Sequence, residues 1–387
     1  MKLIVLLLSF VLMLVTAGAR AHVDDHKNKI HIQKIERSVE ADSAVTVALC
    51  VKSGSITVRG WDKNQVLARS SDVTELELKR GDGPNESGPA TKLTVLMVDR
   101  ADAHRATSDC QAFGDVELKV PRGASVHVQT GDGEINISEV ASVYAKSQSG
   151  TIEIERASQS VEAVSFSSDV SVKDSTGRIA LKSVGGDVTA TGLRPADGDD
   201  CFDASTISGD IELEGVSHPF ISARTVNGAV HFAGPLAHAG QYTFNTTTGD
   251  VNLDLPPDAS FRLIARISQD AEITSDFPLT LKIETSAAPY AKPYSVSTEV
   301  TTKQPAMVPP AQPAQPAPAA AATAVAEPLV IVEQNGKIIK VNPAVVKPGY
   351  LSRRVSAVHG TGDARINVVT FSGSVHLQKD SSGNSEE

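Results

Sequence analysis

TISGDIELEG, Thr206 to Gly215, joins a small polar residue, a glycine and an acid to a short run in which apolar and polar residues alternate. The same arrangement returns as KSGSITVRG from Lys52, TGDGEINIS from Thr130, QSGTIEIER from Gln148, VGGDVTATG from Val184, VNGAVHFAG from Val226, TTGDVNLDL from Thr247 and FSGSVHLQK from Phe371. Weaker copies are SSDVSVKDS from Ser167 and SQDAEITSD from Ser268. A feature copied this often is architecture before it is an active site. Aligned on the turn, Gly133, Gly150, Ser168, Gly186, Gly209, Gly228, Gly249 and Ala271 stand about 17 to 23 residues apart, a period that belongs to solenoids.

Each unit reads as an alternating strand such as SVYAKS (Ser142 to Ser147), a tight polar turn, and a second strand such as TIEIE (Thr151 to Glu155). The alternation puts Ile152 with Ile154, Ile211 with Leu213, and Val251 with Leu253 on one face. Glycine supplies a positive φ at the corner, and the neighbouring Ser, Thr, Asn or Asp bonds the local backbone. One coil cannot bury its own apolar face, so coils must stack about 4.8 Å apart. The fold class is therefore all-β: a β-solenoid of stacked coils of about 20 residues, with an irregular N-terminal cap region from about 31 to 98 and a Pro/Ala-rich insertion before the last coil. The lone Trp61 reads as a cap or core aromatic, with a ligand platform as the alternative. Ser147, Ser165, Thr189, Thr206, Thr225 and Thr246 are expected to face outward.

Residues 1–21 carry Lys2, an apolar run from Leu3 to Val15 and the pattern Ala19-Arg20-Ala21, which make a signal peptide and predict an exported chain, periplasmic, at the cell surface or extracellular. No later stretch approaches the roughly 20 apolar residues of a membrane span, so no transmembrane segment is expected after cleavage. Cleavage takes the formal charge from −10 to −12, a poor surface for nucleic acid. After the leader come an N-terminal arm (22–44), the solenoid (45–285), a Pro/Ala-rich linker (286–348), a C-terminal coil (349–379) and a tail (380–387) expected to be disordered. Within the linker, Asn335-Gly336 between two apolar alternating runs predicts a hairpin at 329–341. The C-terminal coil repeats the unit plan and would expose Ile366, Val368, Val375 and Leu377 alone, so it is expected to return and dock as the terminal coil on the strands around Arg266 to Leu281.

GSITVRGW, QVLARS, LKVPRGASVHVQTGDGEINI, the series of SG and TG turns, ITSDFPL near Asp276 and the closing INVVTFSGSVHL resemble the bacterial family catalogued as putative adhesins, β-solenoid domains first recorded as a domain of unknown function. The resemblance covers about 45 to 285 plus the final strands. It implies an envelope or exported location and a repetitive β fold, and it brings no catalytic residues with it. The Pro/Ala-rich segment departs from the family pattern.

Of Cys50, Cys110 and Cys201, a Cys50–Cys110 disulfide is the first choice in an exported chain, and three free thiols are the alternative. Asp169, Asp187, Asp210 and Asp250 recur at equivalent turn positions, and the insertion RPADGDDCFDAS adds Asp197, Asp199, Asp200 and Asp203. Asp187, Asp199, Asp200 and Asp210 are weak Ca²⁺ candidates, but Thr151 and Ala229 interrupt the column and acids are common turn residues. His22, His26 and His31 could hold copper, although a solvated tail explains them as well. No catalytic, cofactor or metal residue is assigned. The expected function is a non-enzymatic envelope scaffold or adhesion module that binds a protein or glycan. The alternative is a carbohydrate-active β-helix enzyme using stacked carboxylates.

Overall fold

The structure, a computed structural model, describes residues 34–71, 73–82, 88–99, 110, 112–286, 329–333, 337–341 and 352–380. The leader, the three N-terminal histidines, the Pro/Ala tract and residues 381–387 lie outside the described residues. From Lys34 onward the described residues form strands and turns, without a helix.

In the central region each coil contributes one short strand to each of two parallel sheets. The first sheet stacks Ile135–Ser138, Ile152–Glu155, Val170–Lys173, Val188–Thr191, Ile211–Glu214, Val230–Ala233 and Val251–Leu255 in that order. The second stacks Ser125–Asp132, Ser142–Ser147, Ser160–Ser165, Arg178–Lys182, Cys201–Ser205, Phe220–Arg224 and Gln241–Thr248. The register is in step, so Ile152 pairs Val170, Val188 pairs Ile211, and Val230 pairs Val251. Inward columns result. Ile152, Ile211, Leu213, Val251 and Leu253 are fully buried, and toward the C-terminal half the core widens to take Phe202, Phe232, Tyr242, Phe244, Phe261 and Phe277. Burying each such side chain is worth about 1.5–3 kcal/mol, which is what a single coil lacks and a stack supplies.

Neither end of the stack follows chain order. At the N-terminal end, the coil made by the strands Ile35–Ser53 and Ile56–Trp61 lies between Ala90–Asp99 with Val116–Pro121 on one side and Ser125–Asp132 with Ile135–Ser138 on the other. Strand structure thus begins at Ile35, inside the segment assigned to the arm, and the region assigned as a cap contains a regular coil. At the other end, Ala364–Ser372 pairs Gln241–Thr248 on one side and Phe261–Ser268 on the other, while Val375–Lys379 lies between Val251–Leu255 and Ile273–Ser275. The C-terminal coil is therefore not terminal: it sits one coil inside the stack, between two coils that are consecutive in sequence. Gly373, not Ala271, follows Gly249 in the turn column, because the register carries Val251 to Val375 and only then to Ile273.

Antiparallel strands finish both ends. Val73–Arg80 pairs Ala90–Asp99, and Gln65–Ser70 pairs Val116–Pro121. Opposite them Ser352–His359 pairs both Phe261–Ser268 and Thr280–Ser286. Reversing direction ends the parallel repeat and removes the template for one more identical coil. Leu329–Glu333 and Lys337–Val341 pair antiparallel around residues 334–336, which are outside the described set.

Candidate interaction surface

The turn column explains the recurring small residue, glycine and acid. A Cβ on Gly209 would press into the carbonyl of Gly186, one on Gly228 into that of Gly209, and one on Gly249 into that of Gly228. Gly228 and Gly249 also have positive φ, but Gly186 and Gly209 do not, so close approach between coils is the wider requirement. The hydroxyls beside them are buried, which corrects the expectation that they face outward. Ser147, Ser165, Thr206, Thr225 and Thr246 are each at most 5% exposed. Thr206 Oγ1 donates to Gly186 O, Thr225 Oγ1 to Gly209 O and Thr246 Oγ1 to Gly228 O, each at 2.9 Å. Ser147 and Ser165 instead accept the N–H three residues on, from Gly150 and Ser168. Of the six residues expected outside, only Thr189 faces out, between buried Val188 and Ala190.

The acids form a second ladder. Asp169 Oδ1 accepts the Asp187 N–H at 2.8 Å, Asp187 Oδ1 the Asp210 N–H at 2.8 Å, and Asp210 Oδ1 the Ala229 N–H at 2.7 Å. Asp250 does the same for Ser374 in the C-terminal coil. These carboxylates hold successive turns in register, which accounts for their recurrence without chemistry. Of the remaining Ca²⁺ candidates, Asp200 accepts the N–H groups of Ala196 and Asp197, and those backbone bonds hold its carboxyl below the usual range. Asp199 lies in the same exposed loop. Among the described residues no three His, Cys, Asp or Glu side chains come together as a metal site would require.

Cys50 and Cys110 are joined in a disulfide with Cα atoms 4.7 Å apart, and Cys201 is a free, half-buried thiol. Trp61 is half-buried at the end of the strand Ile56–Trp61; its Nε1 donates to Gln65 O at 2.7 Å, and Lys63 and Lys119 lie over its ring. The ring is an anchor for the strand reversal at Gln65, with lysines where a sugar would stack. Nearby, Glu139 gathers Arg122, Arg156 and Arg59, which hold its carboxyl below the usual range; Asp62 on Arg122 and Glu155 on Arg156 bring this surface network into charge balance.

What the alternation pattern misses is a row at the corner. Phe166, Ile207 and Val226 are 60%, 50% and 42% exposed, and each directly follows a buried Ser or Thr. With Val184 they stand one per coil in a straight line, since Gly185 N–H bonds Phe166 O, Ser208 N–H bonds Val184 O and Asn227 N–H bonds Ile207 O. Thr247 comes next, and Phe371 of the C-terminal coil, 55% exposed, after it. Solvent-facing apolar residues scattered singly need no explanation, whereas a contiguous ridge marks a contact surface. The available signal was phase: alternation carried back from Ile211 would turn Ile207 inward, but the corner shifts the phase and buries Thr206 instead.

A solved protein described as a putative adhesin from Parabacteroides distasonis is similar in structure, with a TM-score of 0.41 and 12% identity over 58% of this chain and 90% of its own. Another putative adhesin, from Parabacteroides merdae, gives a TM-score of 0.38 and 10% identity over the same shares. No curated protein matches significantly. Residues 111–304 match the family model described as Toastrack DUF4097, half of the chain, and the protein belongs to that family.

Proposed function

We propose that this chain is a non-enzymatic exported envelope protein, a β-solenoid scaffold or adhesion module that binds a protein partner through its corner ridge. The observation that carries the reading is the straight row of exposed Phe166, Ile207 and Val226 with half-buried Val184 in line between them, on a backbone whose inner columns are otherwise fully buried. Keeping large apolar side chains in water is unfavourable by about 25 cal/mol per Å², so an exported chain that maintains three exposed ones in line gains from covering them. An apolar ridge suits a protein better than a glycan, which needs convergent polar groups and an open aromatic face.

The enzymatic alternative, an acid pair acting on polysaccharide, has the carboxylates of Asp187 and Asp210 for its groups. Their bonds to Asp210 N–H and Ala229 N–H give them structural work already. The test is retention of partners from envelope extract by the tagged protein and by a Phe166→Ser/Ile207→Ser variant, with a glycan array and an acidic-polysaccharide turnover assay alongside. The expected result is a protein retained by the parent and lost from the variant. Polysaccharide turnover that disappears on Asp187→Asn or Asp210→Asn would replace this reading with the enzyme.

A further inference from the structure

We infer that the partner on the ridge is a second copy of the same chain, packed side by side with its stack pointing the same way. The inference rests on the reading of the ridge as a contact surface. Three features select a copy of this chain over an unrelated partner.

The first is period. From Phe166 to Val226 the ridge presents one apolar side chain per coil at the strand spacing of about 4.8 Å, with polar Thr247 before Phe371, and a surface that matches it must repeat at the same interval. Another ridge of this chain does.

The second is charge. Two residues before the ridge, on the outer face of the second sheet, exposed Lys146, Lys182 and Arg224 recur on alternate coils, with Val164 and Ser205 between them in register; Arg224 also pairs with Asp203 at 3.7 Å, so Lys146 and Lys182 carry most of the positive charge. Three residues after the ridge, beyond the turn, stand exposed Asp169, Asp187, Asp210 and Asp250. The ridge therefore has a basic side and an acidic side.

The third is symmetry. A two-fold axis parallel to the stack sets the basic side of one copy against the acidic side of the other and brings Phe166, Ile207 and Val226 each against the same residue of its mate. A two-fold axis perpendicular to the stack would oppose basic to basic and acidic to acidic, which is unfavourable. The self-complementary arrangement is the parallel one. From Phe166 to Phe371 the ridge spans five coil steps, about 24 Å. That length places the contact toward the small end of specific interfaces, below about 1,200 Å², and so predicts a reversible, salt-sensitive dimer rather than an obligate one.

The experiment uses the leaderless full chain carrying Cys201→Ser, so that no surface thiol remains, with single cysteines introduced as Phe166→Cys, Ile207→Cys or Val226→Cys. All three positions are exposed, so the fold should tolerate them, and a melting curve of each checks this. Under mild oxidation the parallel dimer yields a disulfide-linked dimer from all three variants. Lys146→Glu with Lys182→Glu reduces the yield several-fold, and so does raised salt. Sedimentation velocity of the parent shows a concentration-dependent dimer. Cross-linking at one position alone overturns the parallel arrangement. A parent that stays monomeric at every concentration overturns the self-partner. If that monomer still retains an envelope protein through Phe166 and Ile207, the contact-surface reading survives without it; if it retains nothing, both fall.

Discussion

The central coils and the two ends are built from the same unit and joined differently. From Ser142 to Leu255 each coil rests on the one that precedes it in sequence, so each of these pairings spans a single repeat. At the ends the chain's first and last coils are each slipped between two coils that are neighbours in sequence. The centre is a nearest-neighbour array, extendable by copying; the ends are clasps, in which opening the outer coil also requires breaking contacts made from the far side of the chain. They also differ from each other. The N-terminal clasp is closed by Cys50–Cys110, between the intercalated strand Ile35–Ser53 and the segment that leads into Val116–Pro121. The C-terminal clasp has no covalent tie among its described residues and is closed by pairing alone: Ala364–Ser372 on both faces and Ser352–His359 across two antiparallel partners. Repetition builds length, and interleaving stops it.

The largest effect that probes this comparison is a charge placed inside the array. Ile211→Asp or Val251→Asp puts an unpaired carboxylate in a dry column and should cost about 3–5 kcal/mol, enough to unfold the central stack. Changes of Glu212 or Asn252 on the outer face should leave the melting curve nearly unmoved. Equal melting of the two sets would sink the inward and outward assignment. Next, reducing Cys50–Cys110, or replacing both residues by serine, should lower stability by about 2–4 kcal/mol, with the loss confined to the N-terminal clasp. Hydrogen exchange reads this directly: faster exchange in Ile56–Trp61, none in Ala364–Ser372. A uniform change would make the ends one cooperative unit with the centre.

How the turns stack gives a smaller contrast. Gly209→Ala drives a methyl at the Gly186 carbonyl and should cost about 1–3 kcal/mol, whereas Gly198→Ala, in the acidic loop with open space around it, should cost nothing measurable. Denaturant midpoints that coincide for the two would show that close approach does not select glycine. The smallest expected effect is a pH dependence in the centre. His218 is fully buried, its Nε2–H donates to Gly177 O at 2.7 Å, and its Nδ1 has no partner, so burial holds its pKa below the ordinary histidine value. The unfolded chain then takes the proton first. Its contribution is full above about pH 6.5 and is lost as pH falls below that value, a slope that His218→Gln should flatten. A slope unchanged by the substitution would assign the acid sensitivity elsewhere.

The coil plan was legible because every coil carries its own alternation: IELE from Ile211 and VNLDL from Val251 state their inward faces without help from the rest of the chain. Stack order was not legible at the ends. Val375–Lys379 fits beside Val251–Leu255 and Ile273–Ser275 equally well, and its place between them is fixed only by contacts from both sides at once. The polar half of the corner was misread because Thr206 and Ile207 exchange the faces that hydrophobicity alone would give them. Backbone carbonyls supply Thr206 with a buried acceptor, and the phase shift at the turn leaves Ile207 in water. The acids were legible as a column but not in their use, since a carboxylate bonded to the next coil's N–H has the same spacing as one waiting for a cation.

The difference between array and clasp is tested most directly at the C-terminal end. A protease site placed between residues 300 and 328 is cut under native conditions, and the product is passed over a gel-filtration column. If the last coil is intercalated, the fragment containing Ala364–Ser372 co-elutes with the body until denaturant is added, and its amides exchange as slowly as those of Gln241–Thr248. A fragment that separates without denaturant, leaving the stability of the body unchanged, would contradict the interleaved stack.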